Sequence, residues 1–219
     1  MEWTSDLAYA VGLMATDGSL SKDGRHITFV SQDIEQILNL LKILKPKNKI
    51  NSKRGGYPGS KNSYYVQFSN VKLYKLLISI GLHPNKSKTL TKINIPDQYF
   101  FDFLRGCLDG DGFTYSYWDK RWKSSFMFYS GLTSASPIFL NRIKESINKF
   151  FEINGTIKTC GKTAYQLVYA KRSSLILMKK IYYCDRITCL SRKKFKINAA
   201  LDIIREQTSR DAEMVDGRA

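Results

Sequence analysis

The sequence contains only two histidines, His26 and His83, and its four cysteines form no Cys-x-x-Cys pair. Zinc sites of the usual spacing are built from such pairs, so the residues support neither a zinc module nor a histidine-based nuclease. Scattered cysteines are typical of a reducing compartment. No apolar run reaches membrane-spanning length, and the first residues lack the basic region of a signal peptide, so we expect no membrane partner.

Acidic residues are also few relative to basic ones. The chain of 219 residues has 35 Lys and Arg against 19 Asp and Glu, a formal net charge of +16. A solvated basic surface is one explanation, but the excess is larger than solubility requires and favours a polyanionic partner. Because phosphate contacts dominate nucleic-acid affinity, this charge predicts a nucleic acid as the partner.

An apolar helical segment that ends in Asp-Gly occurs twice, 94 residues apart, as Ala10–Gly18 and Leu104–Gly112. The two copies share an internal glycine, an aspartate and a closing glycine, which are Gly12 and Gly106, Asp17 and Asp111, and Gly18 and Gly112. Around each copy the pattern predicts the same order of elements: helix, two strands, helix, two strands, helix. The sequence therefore predicts an α+β protein of two pseudo-symmetric halves.

The predicted organisation has four parts. Residues 1–91 form the first half, residues 92–98 a linker that contains Pro96, and residues 99–205 the second half. Residues 206–219 are polar and acidic and show no apolar period, so we expect a disordered tail there.

Gly12 and Gly106 lie inside the predicted helices, where Gly costs about 1 kcal/mol relative to Ala. Close contact between the two helix backbones would explain that cost, because small residues allow such an approach. If the helices pack side by side in parallel, Asp17 and Asp111 emerge at the same end. Two close carboxylates repel each other unless a cation lies between them, and Mg²⁺ prefers such oxygen ligands. Such a pair in a basic, repeated chain indicates metal-dependent hydrolysis of a phosphodiester.

The doubled segment and its surroundings resemble the LAGLIDADG homing endonucleases of the single-chain, two-motif type. The resemblance covers nearly the whole chain, up to about residue 205. It implies an αββαββα fold in each half, with a four-stranded antiparallel DNA-binding sheet, and packing of the halves through the two motif helices.

The resemblance also implies an activity. The protein would be a monomer that acts as a pseudo-dimer and makes Mg²⁺-dependent double-strand breaks in a long, partly palindromic DNA target, leaving short 3′ overhangs. Enzymes of this kind are encoded within introns or inteins. No splicing-type residues flank the chain, so intron homing is the expected role.

Metal ligands follow from the same resemblance. The carboxylates of Asp17 and Asp111 and the backbone carbonyls of Thr16 and Gly110 would hold Mg²⁺, with Mn²⁺ or Ca²⁺ able to occupy the same sites.

Further catalytic roles are implied for one amide and two lysines. Gln32 would order the active-site water, with the shorter Ser134 as its counterpart in the second half. Lys86 would polarise the nucleophilic water or stabilise charge on the phosphate. In the second half this role is assigned to Lys193, with Arg192 and Lys194 left open.

The DNA-facing surface is expected on the strands and turns of both sheets, because strand pairs can enter the major groove. The candidate contacts are Ser19, Lys22, Arg25, Thr28, Lys49, Asn51, Lys53, Arg54, Lys61, Tyr65, Gln67, Thr114, Ser116, Lys120, Arg121, Lys123, Lys158, Lys162 and Gln166. Lys and Arg at loop tips are expected to hold phosphates, and polar residues within strands to read bases. Alternation along each strand decides which of them face DNA, and the pattern leaves these registers open.

Two other functions remain compatible with the residues. One is an RNA maturase that assists the splicing of its own intron, which would add intron RNA to double-stranded DNA as a partner. The other is a non-catalytic DNA-binding protein on the same fold. The presence of both acids, Asp17 and Asp111, favours cleavage.

Overall fold

The computed structural model describes residues 1–55, 62–122 and 125–216, with side chains up to residue 209. The first half contains α1 (Ser5–Thr16), β1 (Gly18–Leu20), β2 (His26–Ser31), α2 (Ile34–Leu44), β3 (Asn51–Lys53), β4 (Ser63–Ser69) and α3 (Val71–Ser79). The second half contains α4 (Phe100–Asp111), β5 (Gly112–Trp118), β6 (Phe126–Ser134), α5 (Pro137–Phe151), β7 (Thr156–Cys160), β8 (Ala164–Tyr169) and α6 (Lys171–Ile181). A further helix, α7 (Ser191–Asp216), follows.

Each half forms one four-stranded sheet. The strand order is β1-β2-β4-β3 in the first sheet and β5-β6-β8-β7 in the second, and all neighbouring strands are antiparallel. Burial alternates along the inner strands, so one face of each sheet packs on helices and the other is open. The predicted α+β fold with two αββαββα halves is confirmed.

Helix α1 is buried on all sides. Thr4 caps its N-terminus, where the Thr4 Oγ1 accepts a hydrogen bond of 3.0 Å from the Leu7 N–H. Every residue of Leu7–Ala15 is buried, because α1 packs both on its own half and along α4 of the other half. A helix that is apolar all round suits this central position.

Helix α7 departs from the prediction for the end of the chain. A disordered tail was expected over residues 206–219, whereas the helix continues to Asp216. No glycine or proline interrupts the sequence from Ser191 to Asp216, and the buried side chains of Ile197, Leu201 and Ile204 dock the helix on the second half. Within the described ranges, no helix has both the length and the hydropathy needed to cross a bilayer.

Candidate functional site

The backbones of α1 and α4 touch at Gly12 and Gly106. A Cβ atom placed on Gly12 would lie 2.1 Å from the carbonyl oxygen of Phe103, and one on Gly106 would lie 2.1 Å from that of Tyr9. Any side chain would force the two helices apart. The glycines predicted to allow close helix contact therefore lie at that contact.

The two motif acids lie at the same end of this helix pair. Asp17 directly follows α1, and Asp111 is the last residue of α4. Asp17 lies against the last turn of α4, because a Cβ on Gly110 would be only 2.8 Å from the Asp17 Oδ2 and 2.0 Å from the Thr16 Oγ1. The fold thus brings together Thr16, Asp17, Gly110 and Asp111.

Both carboxylates are held in an environment that disfavours their charge. Burial, and then the negative charge of Asp111, raise the pKa of Asp17 from 3.8 to about 6. Asp111 keeps more than a third of its surface exposed, yet the surrounding protein desolvates its carboxyl group enough to raise its pKa. A bound cation would relieve both effects.

A lysine lies beside each acid. The Lys86 Nζ donates to the carbonyl oxygens of Gly18 at 2.6 Å and Thr16 at 3.4 Å. Burial lowers the pKa of Lys86, while the charges of Asp17 and Asp111 act in the opposite direction. The ammonium group therefore satisfies carbonyls at the C-terminal end of α1 and partly neutralises the acids.

Lys193 occupies the corresponding position in the second half. Its Nζ donates to the carbonyl oxygens of Leu108 at 2.5 Å, Gly112 at 2.7 Å and Gly110 at 3.2 Å. Burial lowers its pKa from 10.5 to about 8.

The neighbours of Lys193 point elsewhere. Arg192 forms a two-pronged ion pair with Asp33, with distances of 2.9 and 2.6 Å. Lys194 donates to the carbonyl oxygen of Cys184 and to Asp185, each at 3.0 Å. Of these three basic residues, Lys193 is the one whose ammonium group binds the carbonyls on either side of Asp111.

A buried polar cluster that the sequence did not indicate holds the segment before Lys193. The fully buried carboxylate of Asp109 accepts hydrogen bonds from the Tyr9 hydroxyl at 2.9 Å, the Tyr182 hydroxyl at 2.8 Å and the Leu190 N–H at 2.6 Å. The residue 94 positions earlier is Ala15, so an acid in the second motif helix takes the place of an alanine in the first. This difference between the two copies could have marked Asp109 for attention.

Helix α2 of the first half also contacts the start of α7. The Glu35 carboxylate accepts from the Ser191 N–H at 3.0 Å and from the Ser191 hydroxyl, while the Asn39 side-chain amide donates 2.9 Å to the carbonyl oxygen of Cys189. With the Asp33 pair, these contacts fix the helix that carries Lys193.

An open cavity of about 400 Å³ adjoins the acids and is lined by Asp17, Gly110 and Gln32, among others. Gln32 is exposed at the end of β2, so its amide can reach solvent in this cavity. The neighbouring Gln36 is buried: it accepts from the Ser31 hydroxyl at 2.6 Å and donates to the carbonyl oxygen of Asp109. Ser134 instead accepts from the Ser136 N–H at 3.1 Å, so the two halves differ here.

The donors at this site fit a hard divalent cation. They are the two carboxylates of Asp17 and Asp111 and the carbonyls of Thr16 and Gly110, which the lysines approach only at 3.4 and 3.2 Å. No third carboxylate, histidine or cysteine joins them to form a three-ligand cluster in the described ranges. Mg²⁺ commonly takes one or two carboxylates and completes its shell with water and substrate phosphates, which matches this donor set.

The open face of the first sheet carries the predicted polar side chains. Strand pairing places Ser19, Thr28 and Gln67 in one cross-strand row, and Asn51 is paired with Tyr65 in the next. These residues alternate with the buried Ile27, Phe29 and Val66, so they lie on the open face. Lys53 pairs with Ser63 at the edge of this face.

On the second sheet two of the candidate contacts, Thr114 and Ser116, do not lie on the open face. Thr114 pairs with Ser130 and Ser116 pairs with Phe128, both of which are buried, so the two residues lie on the helix side. The open face of β5 instead carries aromatic rings. Lys158 and Gln166 form a cross-strand pair, and the Gln166 amide donates to the Thr133 hydroxyl at 3.4 Å, so both lie on the open face.

The remaining candidates lie in turns and loops. Those with exposed positions are Lys22, Arg25, Lys49, Arg54, Lys120, Arg121 and Lys162. Arg121 pairs with Asp119, although its side chain remains 83% exposed. Lys61 and Lys123 lie outside the described residues.

Comparison with known proteins gives structural matches but no sequence matches. No protein-family model matches the chain, and no curated protein resembles it in sequence. The homing endonuclease I-LtrWI bound to target DNA has a TM-score of 0.59 at 13% identity, over 95% of this chain and 96% of that one. I-DmoI in complex with DNA and Mn has a TM-score of 0.51 at 17% identity, over 84% of this chain and 98% of that one.

The match also extends to a protein that is not named as an endonuclease. The N-terminal LAGLIDADG domain of DUF199/WhiA has a TM-score of 0.56 at 17% identity, over 84% of this chain and 85% of that one. In all three the likeness runs through both halves of the chain. Two αββαββα halves joined through their motif helices, with an acid at the end of each helix, therefore identify the chain's fold as the LAGLIDADG fold.

Proposed function

We propose that this protein is a site-specific endodeoxyribonuclease that makes Mg²⁺-dependent double-strand breaks in a long, partly palindromic DNA target. It acts as a monomer, with residues 1–91 and 99–205 each binding one half of the target. We further propose that the cleaved ends carry short 3′ overhangs and that the enzyme serves in intron homing.

The paired acids carry this proposal. Asp17 and Asp111 meet at the junction of the two halves, each with a raised pKa and each with a lysine beside it. Two carboxylates that repel each other in a partly desolvated site destabilise the protein. Such a costly arrangement is typical of a functional site. Their position between two sheets suits attack on both strands of one duplex.

The residues divide the chemistry among themselves. Asp17 and Asp111, with the carbonyls of Thr16 and Gly110, hold the divalent ions. When bound, such ions activate a water molecule and stabilise the leaving oxygen of the phosphodiester. Gln32 orients water in the cavity beside Asp17. Lys86 and Lys193 place positive charge next to the scissile phosphates and limit the repulsion between the acids.

The two sheets and the net charge support double-stranded DNA as the substrate. The polar side chains of Ser19, Thr28 and Gln67 lie on the open face of the first sheet beside the exposed Val30. Exposed lysines such as Lys22, Lys49 and Lys162 surround both sheets. I-LtrWI and I-DmoI, which share the fold, are both described in complex with DNA, and I-DmoI also with Mn. Mn²⁺ and Ca²⁺ can occupy the proposed Mg²⁺ sites.

A selection for cleavage among random duplexes tests the function and finds the target sequence at the same time. The protein is incubated with long duplexes of random sequence and Mg²⁺, and fragments with 3′ overhangs are captured and amplified. We expect one family of related sequences to be enriched. The Asp17→Asn and Asp111→Asn variants should bind the selected duplex and leave it intact.

Asp202→Asn is the matched control, because Asp202 forms an exposed ion pair with Arg205 on α7 and lies outside the site. This variant should cut like the unaltered protein. Enrichment of a duplex that is bound but stays uncut would favour a non-catalytic DNA-binding protein. The WhiA domain, which is not named as an endonuclease, shares this fold. Binding of folded intron RNA in place of duplex DNA would favour a maturase.

A further inference from the structure

Four aromatic rings form a continuous row on the open face of the second sheet, and we refer to Phe113, Tyr115, Tyr117 and Tyr129 as the aromatic row. The ring centroids of Tyr115 and Tyr129 are 4.9 Å apart with planes 12° from parallel. Tyr117 lies 6.4 Å from Tyr115 and 6.3 Å from Tyr129, with interplanar angles of 4° and 8°. Phe113 extends the row at 6.2 Å from Tyr115.

The aromatic row is open to solvent. Tyr115 is 42% exposed and Tyr117 46% exposed. Large rings on a strand normally turn towards the core, but here the opposite side of β6 already carries the buried Phe126 and Phe128. The rings therefore occupy the face that is equivalent to the polar face of the first sheet.

That equivalent face is chemically different. In the first half the row across β1, β2 and β4 consists of Ser19, Thr28 and Gln67. Their hydroxyl and amide groups are of the kinds that hydrogen-bond to base edges. In the second half the rings offer mainly apolar surface, together with the hydroxyl group at the tip of each tyrosine. The two halves are thus built to recognise different chemical groups.

Stacking within the aromatic row limits what it can bind. A protein that captures unpaired bases leaves ring faces free, so that each base can stack on a ring. Here Tyr115 and Tyr129 stack on each other at 4.9 Å, and near-parallel rings at 6.2 to 6.4 Å flank them. This crowding restricts access to the ring faces and leaves ring edges and hydroxyls for a partner. Edges and hydroxyls suit a duplex groove, where the thymine C5-methyl group is the apolar feature and N7, O4 and O6 are acceptors.

The row is also held in place before any partner binds. A Cβ on Gly131 would lie 2.5 Å from the Cζ of Phe113, so the glycine makes room for this ring against the sheet. Phe113 in turn supports Tyr115. A row that is already ordered loses little conformational freedom on binding, which strengthens each contact that it makes.

We propose that the second half recognises its half-site largely through thymine methyl groups, which pack against Tyr115, Tyr117 and Tyr129, while the first half reads by hydrogen bonds. The inference rests on the proposed binding of duplex DNA. Lys158 on the same face and Lys162 and Lys120 in the adjoining turns supply the positive charge that holds the flanking phosphates.

Replacement of thymine by uracil tests this directly, because it removes the methyl group alone. The selected duplex is prepared with every thymine of one half-site replaced by deoxyuridine, and binding is measured in Ca²⁺, which is expected to allow binding without cleavage. We expect each contacted thymine of the second half-site to contribute about fourfold in affinity, the value of one buried methyl-sized group. The same replacement in the first half-site should have little effect.

Three variants at two tyrosines, one on each sheet, provide matched readouts. Tyr117→Ser should weaken binding and reduce the sensitivity of the second half-site to uracil, whereas Tyr117→Phe should retain that sensitivity. Tyr65 is itself a candidate DNA contact on the open face of the first sheet, so Tyr65→Ser is compared only for its effect on uracil in the second half-site, which it should leave unchanged. Thermal unfolding of each variant verifies that the fold is intact.

The outcomes separate this inference from the proposed function. Equal effects of uracil in both half-sites, or no effect in the second, would overturn the inference while duplex binding stands. Tighter binding of single strands than of duplex would overturn it as well, because the rings would then be stacking on bases. If the selection for cleavage among random duplexes enriched no sequence, both the proposed function and this inference would be refuted.

Discussion

Lys86 and Lys193 reach equivalent carbonyls from different parts of the chain. The Lys86 Nζ lies 2.6 Å from the Gly18 oxygen and the Lys193 Nζ 2.7 Å from the Gly112 oxygen, and these glycines are 94 residues apart. Lys86 belongs to a 3₁₀ turn after α3, whereas Lys193 lies in the first turn of α7, after α6. Two segments of different structure, each following the last helix of its αββαββα unit, thus place an ammonium group at the end of each motif helix.

This arrangement predicts the effect of Lys193→Met. The variant should lower the cleavage rate about 100-fold or more, the usual cost of losing one electrostatic donor at a reacting phosphate, with a much smaller effect on DNA binding. Single-turnover cleavage and binding measured side by side would separate the two effects. Lys194→Met is the matched control, since the ammonium group of Lys194 binds Cys184 and Asp185 and not the carbonyls beside the acids. Equal losses in both variants would contradict a special role for Lys193.

The raised pKa of Asp17 predicts a pH-dependent stability in the absence of metal. Because the folded-state pKa of about 6 exceeds the ordinary 3.8, folding favours the protonated acid. This contribution is fully present below about pH 4 and is lost as the pH rises through 6. Asp17→Asn should therefore raise the free energy of unfolding above pH 6, by up to about 3 kcal/mol.

Urea unfolding in EDTA at pH 5 and pH 7.5 measures this effect. The gain from Asp17→Asn should be larger at pH 7.5, and Asp202→Asn should show no such difference. Mg²⁺ added at pH 7.5 should stabilise the unaltered protein more than the Asp17→Asn variant. If the free energy of unfolding changed equally with pH and Mg²⁺ in the unaltered protein, Asp17→Asn and Asp202→Asn, the charge of Asp17 would not be unfavourable.

The backbone contact of α1 with α4 predicts that Gly106→Ala is strongly destabilising. Alanine would favour an isolated helix by about 1 kcal/mol, but its Cβ would lie 2.1 Å from the Tyr9 oxygen. Separation of the helices should cost about 3 kcal/mol or more in the free energy of unfolding. Ser146→Ala, on the exposed side of α5, serves as the helix control. A Gly106→Ala protein as stable as this control would disprove the tight contact.

The contact of Glu35 with Ser191 predicts a local effect at α7. Glu35→Ala should speed hydrogen exchange of the first amides of α7 and slow cleavage, because Lys193 is then held less firmly. Glu145→Ala removes an exposed carboxylate that pairs with Arg142 on α5, and it should change neither property. Unaltered exchange at Ser191–Lys194 in the Glu35 variant would exclude this positioning role.

The fold and the paired acids could be predicted because their signals are local and repeated. Helical and alternating periods indicate the elements, and the Gly-to-Asp spacing occurs twice. The polar cluster around Asp109 could not be predicted in this way, since its partner Leu190 lies 81 residues further along the chain. Only the fold brings such groups together.

The side of β5 that faces the helices could not be predicted, for a different reason. Its residues alternate between aromatic and hydroxyl side chains, and the sequence left open which set faces DNA, although Thr114 and Ser116 were candidate contacts. Burial depends on what the neighbouring strand already supplies, and Phe128 of β6 occupies the helix side. Alternation identifies two faces, but it does not say which of them meets the helices.

The contacts between α2 and the start of α7 make the site of the second half depend on the first half. Asp33 and Glu35 of the first half hold the segment that completes the site of the second half. Counted from the helix caps, the residues of α5 that correspond to them are Ser136 and Ile138, and neither carries a carboxylate. A symmetric dimer of two second halves would thus leave Arg192 and Ser191 without these acceptors. A chimaera that keeps the second half of this protein must therefore also keep α2, so that Asp33 and Glu35 still bind the start of α7.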